Sequence, residues 1–479
     1  MTFASRCLVR PAPAAAPVRV AAMLALAASA PSLNAQTLGD RFLGAAVDSV
    51  VAAHMESGPV AGLTVAVARG GTLLYHKAYG HADLELDVGT PLDAVYEIGS
   101  VTKQFTAVLV LQLVDEGVLE LDEDFRTYYP DFDTGGRVVP LRRLLDHSSG
   151  MKGYTEMRSF GSLAAAALPQ DSLLRLVEAE PWDFEPGEGL IYNNSAYFLL
   201  GRLLEKVTGE SYETLVEERL FGPLGMEGSR YCSNSEVVPN RAHGYQAARD
   251  GFRRAPYLDH RWPYAAGSLC STARDLVRWN QALHGGAVLS PEMYELLVTP
   301  EPLTDGTPVR YAKGLVHQES AFGEVIEHGG GIFGFLSDVK YYPDEDLVAV
   351  ALQNTAGPAG PGTVVTGVVE LLRERREPET VPYTGDLSPL AGTYAGPARG
   401  MPMTVNVTVE GDTLRVQMGD DGDPQPIAYL GDGVFGGFNT RIWFLDAQGR
   451  RVGTPGAGAP VELRLDGASA HYVLKREAG

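Results

Sequence analysis

Apolar runs at 62–67 and 72–78, joined around Gly70 and Gly71, have the pattern of two strands and predict an early antiparallel hairpin. The next segment, 102–116, follows a helical period but is apolar on nearly all sides (Phe105, Val108, Leu109, Leu111, Leu113, Val114) and is closed by Gly117. A helix without a polar face belongs in a core. Further helices are expected at 141–146, 195–208 and 211–220, with Gly209 ending the second, and a last one at 364–375. Strands are expected at 325–327, 336–341 and 347–352, where apolar and aromatic residues cluster between turn signals. Residues 377–386, with Pro378 and Pro382 among charges, read as a linker. Beyond it the period changes to two: Val405, Val407 and Val409 alternate with polar residues, Gly411 and Asp412 turn the chain, and Leu414, Val416 and Met418 alternate again. With short runs at 442–445, 461–465 and 471–474, this predicts a small all-β domain over 387–479.

At 479 residues and 45% hydrophobic, the chain can bury more than one core, and two or three domains are expected. Its formal charge of −21 argues against a broad electrostatic grip on nucleic acid or anionic lipid. Residues 1–35 carry Arg6, Arg10 and Arg19 without an acid, then a small apolar run at 20–30, then Ser32, Asn34 and Ala35. That is the layout of a secretory signal cut after Ala35, and the apolar run is too short for the ~20 residues a bilayer span needs. No later run is long enough to span, so a secreted or periplasmic protein without an integral membrane segment is expected. Cys7 leaves with the signal, and Cys232 and Cys270 remain as either one bridge across a loop or two buried thiols. Their spacing is not that of a CxxC redox or zinc site, and no HExxH or Cys/His cluster implies a metal.

Three short patterns carry chemistry. Ser100-Val101-Thr102-Lys103 opens the apolar helix, so Ser100 sits at its positive end and Lys103 stands one turn on, on the same face. A neutral lysine amine within reach can take the serine proton, and the helix start favours the anion that forms. The plain alternative, an N-cap and a solvated lysine, fits poorly with a lysine that begins an apolar helix. Tyr192-Asn193-Asn194 lies on a turn leading into a helix, and His328-Gly329-Gly330-Gly331 follows a predicted strand, where glycines let a ligand approach the backbone. Taken singly, Tyr192 could be a core aromatic, Asn194 a helix cap and His328 a strand-end histidine. His147 beside Ser148 invites a Ser-His-Asp reading, but a histidine next to its own serine on a turn points the wrong way and reads as structural. No G-x-S-x-G elbow occurs, which counts against an α/β-hydrolase.

In this order and spacing, the three patterns resemble the serine beta-lactamase and penicillin-binding-protein-like hydrolases, whose signature is SxxK, YxN and a [K/H]-[T/S/G]-G strand. The stretches 144–150, 267–276 and 331–335 are similar as well, and the resemblance runs over about 40–372. It implies an α/β (α+β) hydrolase domain over 36–376: a mixed antiparallel sheet flanked by helices, a helical subdomain, and an active site in the cleft between them. The last domain resembles the separate lipocalin-like β-barrel appended to some members, with 390–394 as its opening strand and a packing module that caps the cleft or supports the catalytic domain as the simplest reading.

By position, the resemblance makes Ser100 the acylated nucleophile, with Lys103 and Tyr192 sharing general-base work. It assigns substrate binding to Asn194, His328 and Gly330, and an oxyanion hole to the N–H groups of Ser100 and Gly331. No cofactor is implied. Where class C beta-lactamases carry Lys-Thr-Gly, this chain has His328-Gly329-Gly330, losing a permanent cation and a hydroxyl. The expectation is therefore an exported serine hydrolase that forms an acyl-enzyme on small esters, amides or D-amino-acid peptides. The alternatives are a D,D-carboxypeptidase or beta-lactamase, and a non-catalytic binding protein of the same fold. Nothing in the sequence speaks to the oligomeric state.

Overall fold

The computed structural model describes residues 38–419 and 422–477. The expected signal, with Arg6, Cys7, Arg10, Arg19 and Ala35, lies outside the described residues.

The hairpin Gly62–Arg69 and Thr72–Asp83 lies within a seven-stranded sheet in the order 316–320, 323–332, 335–342, 347–353, 62–69, 72–83, 88–89. Every pairing in it is antiparallel. Gly62–Arg69 and Leu347–Gln353 are buried almost throughout, because both faces of the sheet are covered. Alternation sends Leu63, Val65 and Val67 to one side, where Val47, Val51, Val364 and Val368 of the helices Leu38–Glu56 and Gly362–Leu372 cover them. Ala66, Ala68, Val348, Val350 and Leu352 face the other side and the main core. That core is built around the helix Thr102–Asp115, whose residues 102–111 are all buried. Phe105 stacks on Trp279 with centroids 4.0 Å apart, and Gln104 accepts the indole N–H at 2.9 Å. The helix stops where expected, at a Gly117 with φ +72°.

Most remaining elements fall where the period placed them, including Leu141–Leu145, Asn194–Thr208, Phe335–Tyr342 and Leu347–Gln353. The last helix ends at Leu372, short of the expected 375, because the charged run from Arg373 offers no apolar face. The helices Leu38–Glu56, Gln170–Glu178, Ala273–His284 and Pro291–Val298 were not anticipated.

The C-terminal domain is a closed barrel of eight antiparallel strands from Gly392–Gly396 to Ala470–Arg476, sealed by pairing of 394–395 with 475–476. Its core of Tyr394, Val405, Val407, Phe444 and Leu463 is its own. Leu390 forms a 3-10 turn before the first strand rather than opening it, since Pro389 cannot donate to a ladder. Residues 377–386 contain no helix or strand, yet Val381 N–H donates to Tyr429 O at 3.0 Å and Tyr383 packs edge-on against Tyr429 at 4.8 Å. The barrel is also fastened to the hydrolase domain. The two-residue strand Leu190–Ile191 adds to the edge at Ala470 and His471, and Arg310 donates to Phe438 O, Asn439 O and Asp466 O.

Cys232 and Cys270 are joined in a disulfide with both residues fully buried. The bridge staples the small sheet in which Leu269–Ser271 pairs with Arg230–Tyr231 and with Tyr96–Glu97, just before Ser100. At a sequence separation of 38, its chain-entropy contribution is about 3 to 4 kcal/mol as an upper figure. Reduction should therefore lower the melting temperature by up to about 8 °C. A melting curve unchanged by reductant, or two titratable thiols in unreduced denatured protein, would contradict this.

Candidate active site

Gly99, at φ +52°, turns the chain into a short 3-10 segment, Gly99–Val101, from which the buried helix continues. This places Ser100, half-buried, at the junction. Lys103 is completely buried, and its amine lies 3.3 Å from Ser100 Oγ, 2.7 Å from Asn194 Oδ1 and 2.8 Å from Ala266 O. A carbonyl oxygen can only accept. A neutral amine has two N–H groups and one lone pair, so once Asn194 Oδ1 and Ala266 O have taken the two hydrogens, the lone pair is left for the Ser100 hydroxyl. Burial drives the lysine pKa well below its ordinary value, the Arg399 cation adds to that, and Glu156 opposes it. The arrangement suits a base beside a nucleophile.

Asn194 begins the helix Asn194–Thr208, but the capping residue is Asn193, whose side chain accepts Ala196 N–H at 3.0 Å. That leaves the Asn194 amide free for Lys103, with Nδ2 donating to Thr155 Oγ1 at 3.0 Å. Tyr192 is buried, its ring 4.7 Å from Lys103 Nζ. Its hydroxyl has no well-formed hydrogen bond, although Ser100 lies close enough to pull the phenol pKa down against the larger upward push of burial. Such bonds are often loose before a substrate is present.

The strand Gly323–Ile332 pairs with Val316–Ser320 only as far as Glu327, so 328–332 leave one edge open beside the Ser100 turn. A Cβ on Gly330 would lie 2.1 Å from Ile98 O and 2.2 Å from Ser337 Oγ, and one on Gly99 would lie 2.9 Å from Gly331 N. Gly330 is thus a spacing residue that lets the strand touch the nucleophile turn, which brings the backbones of Ser100 and Gly331 together. His328 is buried. Its Nδ1–H donates to Gly329 O at 2.6 Å, which leaves Nε2 to accept the Tyr311 hydroxyl at 3.0 Å. Burial pushes its pKa down to about 3, so the ring is neutral.

Sequence reasoning did not find four further residues, Ala266, Tyr311, Glu156 and Arg399, and it read a fifth, His147, as structural. The carbonyl of Ala266 carries no side-chain signal. Tyr311 orients His328. His147, at φ +62°, accepts Asn193 N–H on Nδ1 at 3.1 Å and packs 4.3 Å from the Tyr192 ring, so it positions the Tyr-Asn-Asn turn. Glu156 and Arg399 form an ion pair at 2.8 Å. Arg399 comes from the barrel, and its guanidinium lies 4.9 Å over the Tyr192 ring. The barrel thus caps the cleft, as one of its expected roles, and completes the wall of the site through Arg399.

The neutral Lys103 predicts a pH profile. As pH falls through the lysine pKa, which burial holds well below that of a free lysine, the lone pair is lost, so kcat/KM should fall on acidification and level off at a pH well below the range of an ordinary lysine, with no ionisation from His328 between about pH 5 and 9. A rate still rising through pH ~10 would show that Lys103 is charged.

A serine beside a buried lysine amine at a helix start, on an antiparallel sheet with helices on both faces, is the arrangement of a serine hydrolase. The chain belongs to the Beta-lactamase family, whose model matches residues 47–373. It is 29% identical over 307 residues to penicillin-binding protein 4* of Bacillus subtilis (61% of this chain, 67% of that one). It is 25% identical over 384 residues to a D-aminopeptidase of Gluconobacter oxydans (80% and 71%). Among solved structures, a D-stereospecific amidohydrolase from Streptomyces sp. matches with a TM-score of 0.59 and 26% identity, covering 67% of this chain and 97% of that one. Among the described residues no helix is long and apolar enough to cross a membrane.

Proposed function

We propose that this protein is an exported hydrolase that forms an acyl-enzyme through Ser100 on small amides, esters or D-amino-acid peptides. The observation that carries the reading is the fully buried Lys103 amine, held by two acceptors and directed at Ser100 Oγ. It takes the serine proton as Ser100 attacks the carbonyl carbon. The N–H groups of Ser100 and Gly331 receive the carbonyl oxygen as it becomes negative. The proton passes to the leaving amine or alcohol through Lys103 or Tyr192, and the same pair then activates the water that releases the acid. The buried disulfide supports export to an oxidising compartment.

His328 is neutral and occupied by Tyr311, so it offers no cation to a beta-lactam carboxylate. The cation that faces Tyr192 is Arg399, and Glu156 beside it keeps one buried oxygen, Oε2, without a partner. A carboxylate and a guanidinium at one end of the site suit substrates that carry the charges of an amino acid. Intact-mass spectrometry should show one fluorophosphonate adduct per chain. Hydrolysis of p-nitrophenyl esters or D-amino-acid anilides should exceed that of nitrocefin by at least about tenfold in kcat/KM. Arg399→Ala should raise KM for the D-amino-acid anilide about tenfold or more and leave p-nitrophenyl acetate little changed. Faster nitrocefin turnover would favour a beta-lactamase or D,D-carboxypeptidase instead, and absence of any adduct would favour a binding protein.

A further inference from the structure

A cavity of about 450 Å³ lies between the hydrolase domain and the barrel, on the strand pairing that joins them. None of its lining residues belongs to the Ser100 cluster. Its apolar wall is Phe184, Ile191 and Val473, and its polar wall includes Glu188, Arg464 and His471. The polar wall is only partly satisfied. Arg464 donates through Nε to Glu462 and through Nη2 to Asp305 at 3.1 Å, while its buried Nη1 has no partner. His471 is 1% exposed, and neither ring nitrogen makes a hydrogen bond; the nearest acid is Asp466, 3.7 Å from Nδ1. Glu188 is exposed at the rim and makes no ion pair among the described residues. Buried donors left open in a cavity of this size are the mark of something that fills it.

The open groups have the complement of one ligand class. An unpaired guanidinium N–H beside an imidazole receives a carboxylate, an unpaired carboxylate at the rim receives an ammonium, and an apolar wall receives a side chain. Lined as it is by acids and bases in nearly equal number, the cavity suits a zwitterion better than an anion or a cation. We propose that this cavity is a second, non-catalytic site for a free α-amino acid with an apolar side chain, and that its occupancy is transmitted to Tyr192. The connection is short. Ile191 forms the cavity wall and precedes Tyr192, and His471 is the register partner of Leu190 in the joining ladder. This ligand class is also the product class of a D-aminoacyl hydrolase, so the regulatory sense rests on the function proposed above, whereas the binding does not.

The test uses full-length protein blocked at Ser100 by a fluorophosphonate, titrated calorimetrically with D-phenylalanine, phenylpropionate and phenethylamine. One equivalent of D-phenylalanine should bind, at least about tenfold tighter than either analogue lacking one charge. Val473→Trp, which fills the cavity, should abolish binding. Glu188→Gln changes an exposed side chain without structural partners and should weaken binding about tenfold with an unaltered melting temperature. In unblocked enzyme, saturating D-phenylalanine should change kcat for a p-nitrophenyl ester at least about twofold, and Val473→Trp should erase the response. No binding to the blocked protein, or binding that survives Val473→Trp, overturns the site; binding without an effect on kcat overturns the coupling. Failure of the fluorophosphonate to label Ser100 counts against the hydrolase reading alone, and the same titration on Ser100→Ala protein still decides the cavity.

Discussion

Ser100→Ala is expected to lower kcat on a p-nitrophenyl ester by about 10⁴-fold or more while the protein stays folded. The deletion removes the nucleophile but leaves the Lys103 amine its contacts with Asn194 Oδ1 and Ala266 O. Tyr192→Phe and Lys103→Ala should each cost about 10²- to 10⁴-fold, and either change added to Ser100→Ala should cost little more, because the three act as one unit. Stability separates the two supporting residues. Tyr192→Phe deletes a hydroxyl that makes no well-formed hydrogen bond, so its melting temperature should not fall. Lys103→Ala strands two buried acceptors and should cost about 1 to 3 kcal/mol for each. Steady-state kinetics and thermal melts on the single and double variants check this, and an active Ser100→Ala or additive losses would defeat the mechanism.

Gly330→Ala should lower kcat/KM by about 10²-fold or more, although alanine is a smaller change than most. The new Cβ would meet a backbone carbonyl, Ile98 O, at 2.1 Å, and Ser337 Oγ, which already donates to that carbonyl, at 2.2 Å. Neither can yield without parting the glycine strand from the nucleophile turn. A displacement of about 1 Å between Ser100 and the Gly331 N–H is enough for such a loss. Gly331→Ala is the control: its Cβ would meet only the Leu336 side chain at an ordinary 3.5 Å, so less than about tenfold should be lost. Equal losses at the two positions would mean that bulk at the site mouth, rather than strand spacing, is what matters.

Much of this site could be read along the chain because its parts are local. Ser100 and Lys103 are three residues apart on one helix, and an apolar helix around a lysine is visible as a pattern. Tyr192 to Asn194 sit at a turn, and the glycines end a strand. The elements that escaped notice have weaker local signals. Ala273–His284 mixes Arg274, Asp275 and Arg278 with its apolar positions, and it is a helix because Leu276, Trp279 and Leu283 pack against the main core. The barrel strands Gln425–Gly431 and Val434–Gly436 are half exposed and contain little alternation, and they exist because the barrel must close.

By itself, the sequence determined many of the elements, the change of period before the barrel, a serine and a lysine one turn apart at the start of an apolar helix, and the family, all of which depend on side-chain types at short spacing. Tertiary structure alone decided the charge states and the borrowed residue. His328 stands in sequence where class C beta-lactamases carry a lysine, and only the fold shows it to be a neutral, buried acceptor of the Tyr311 hydroxyl, because desolvation sets its protonation. Arg399 reads as one arginine in a barrel loop, yet it reaches Glu156, 243 positions away in the chain, and covers Tyr192. Solvent exclusion and proximity across such a separation are properties of the packed molecule, and no local pattern of residues encodes them.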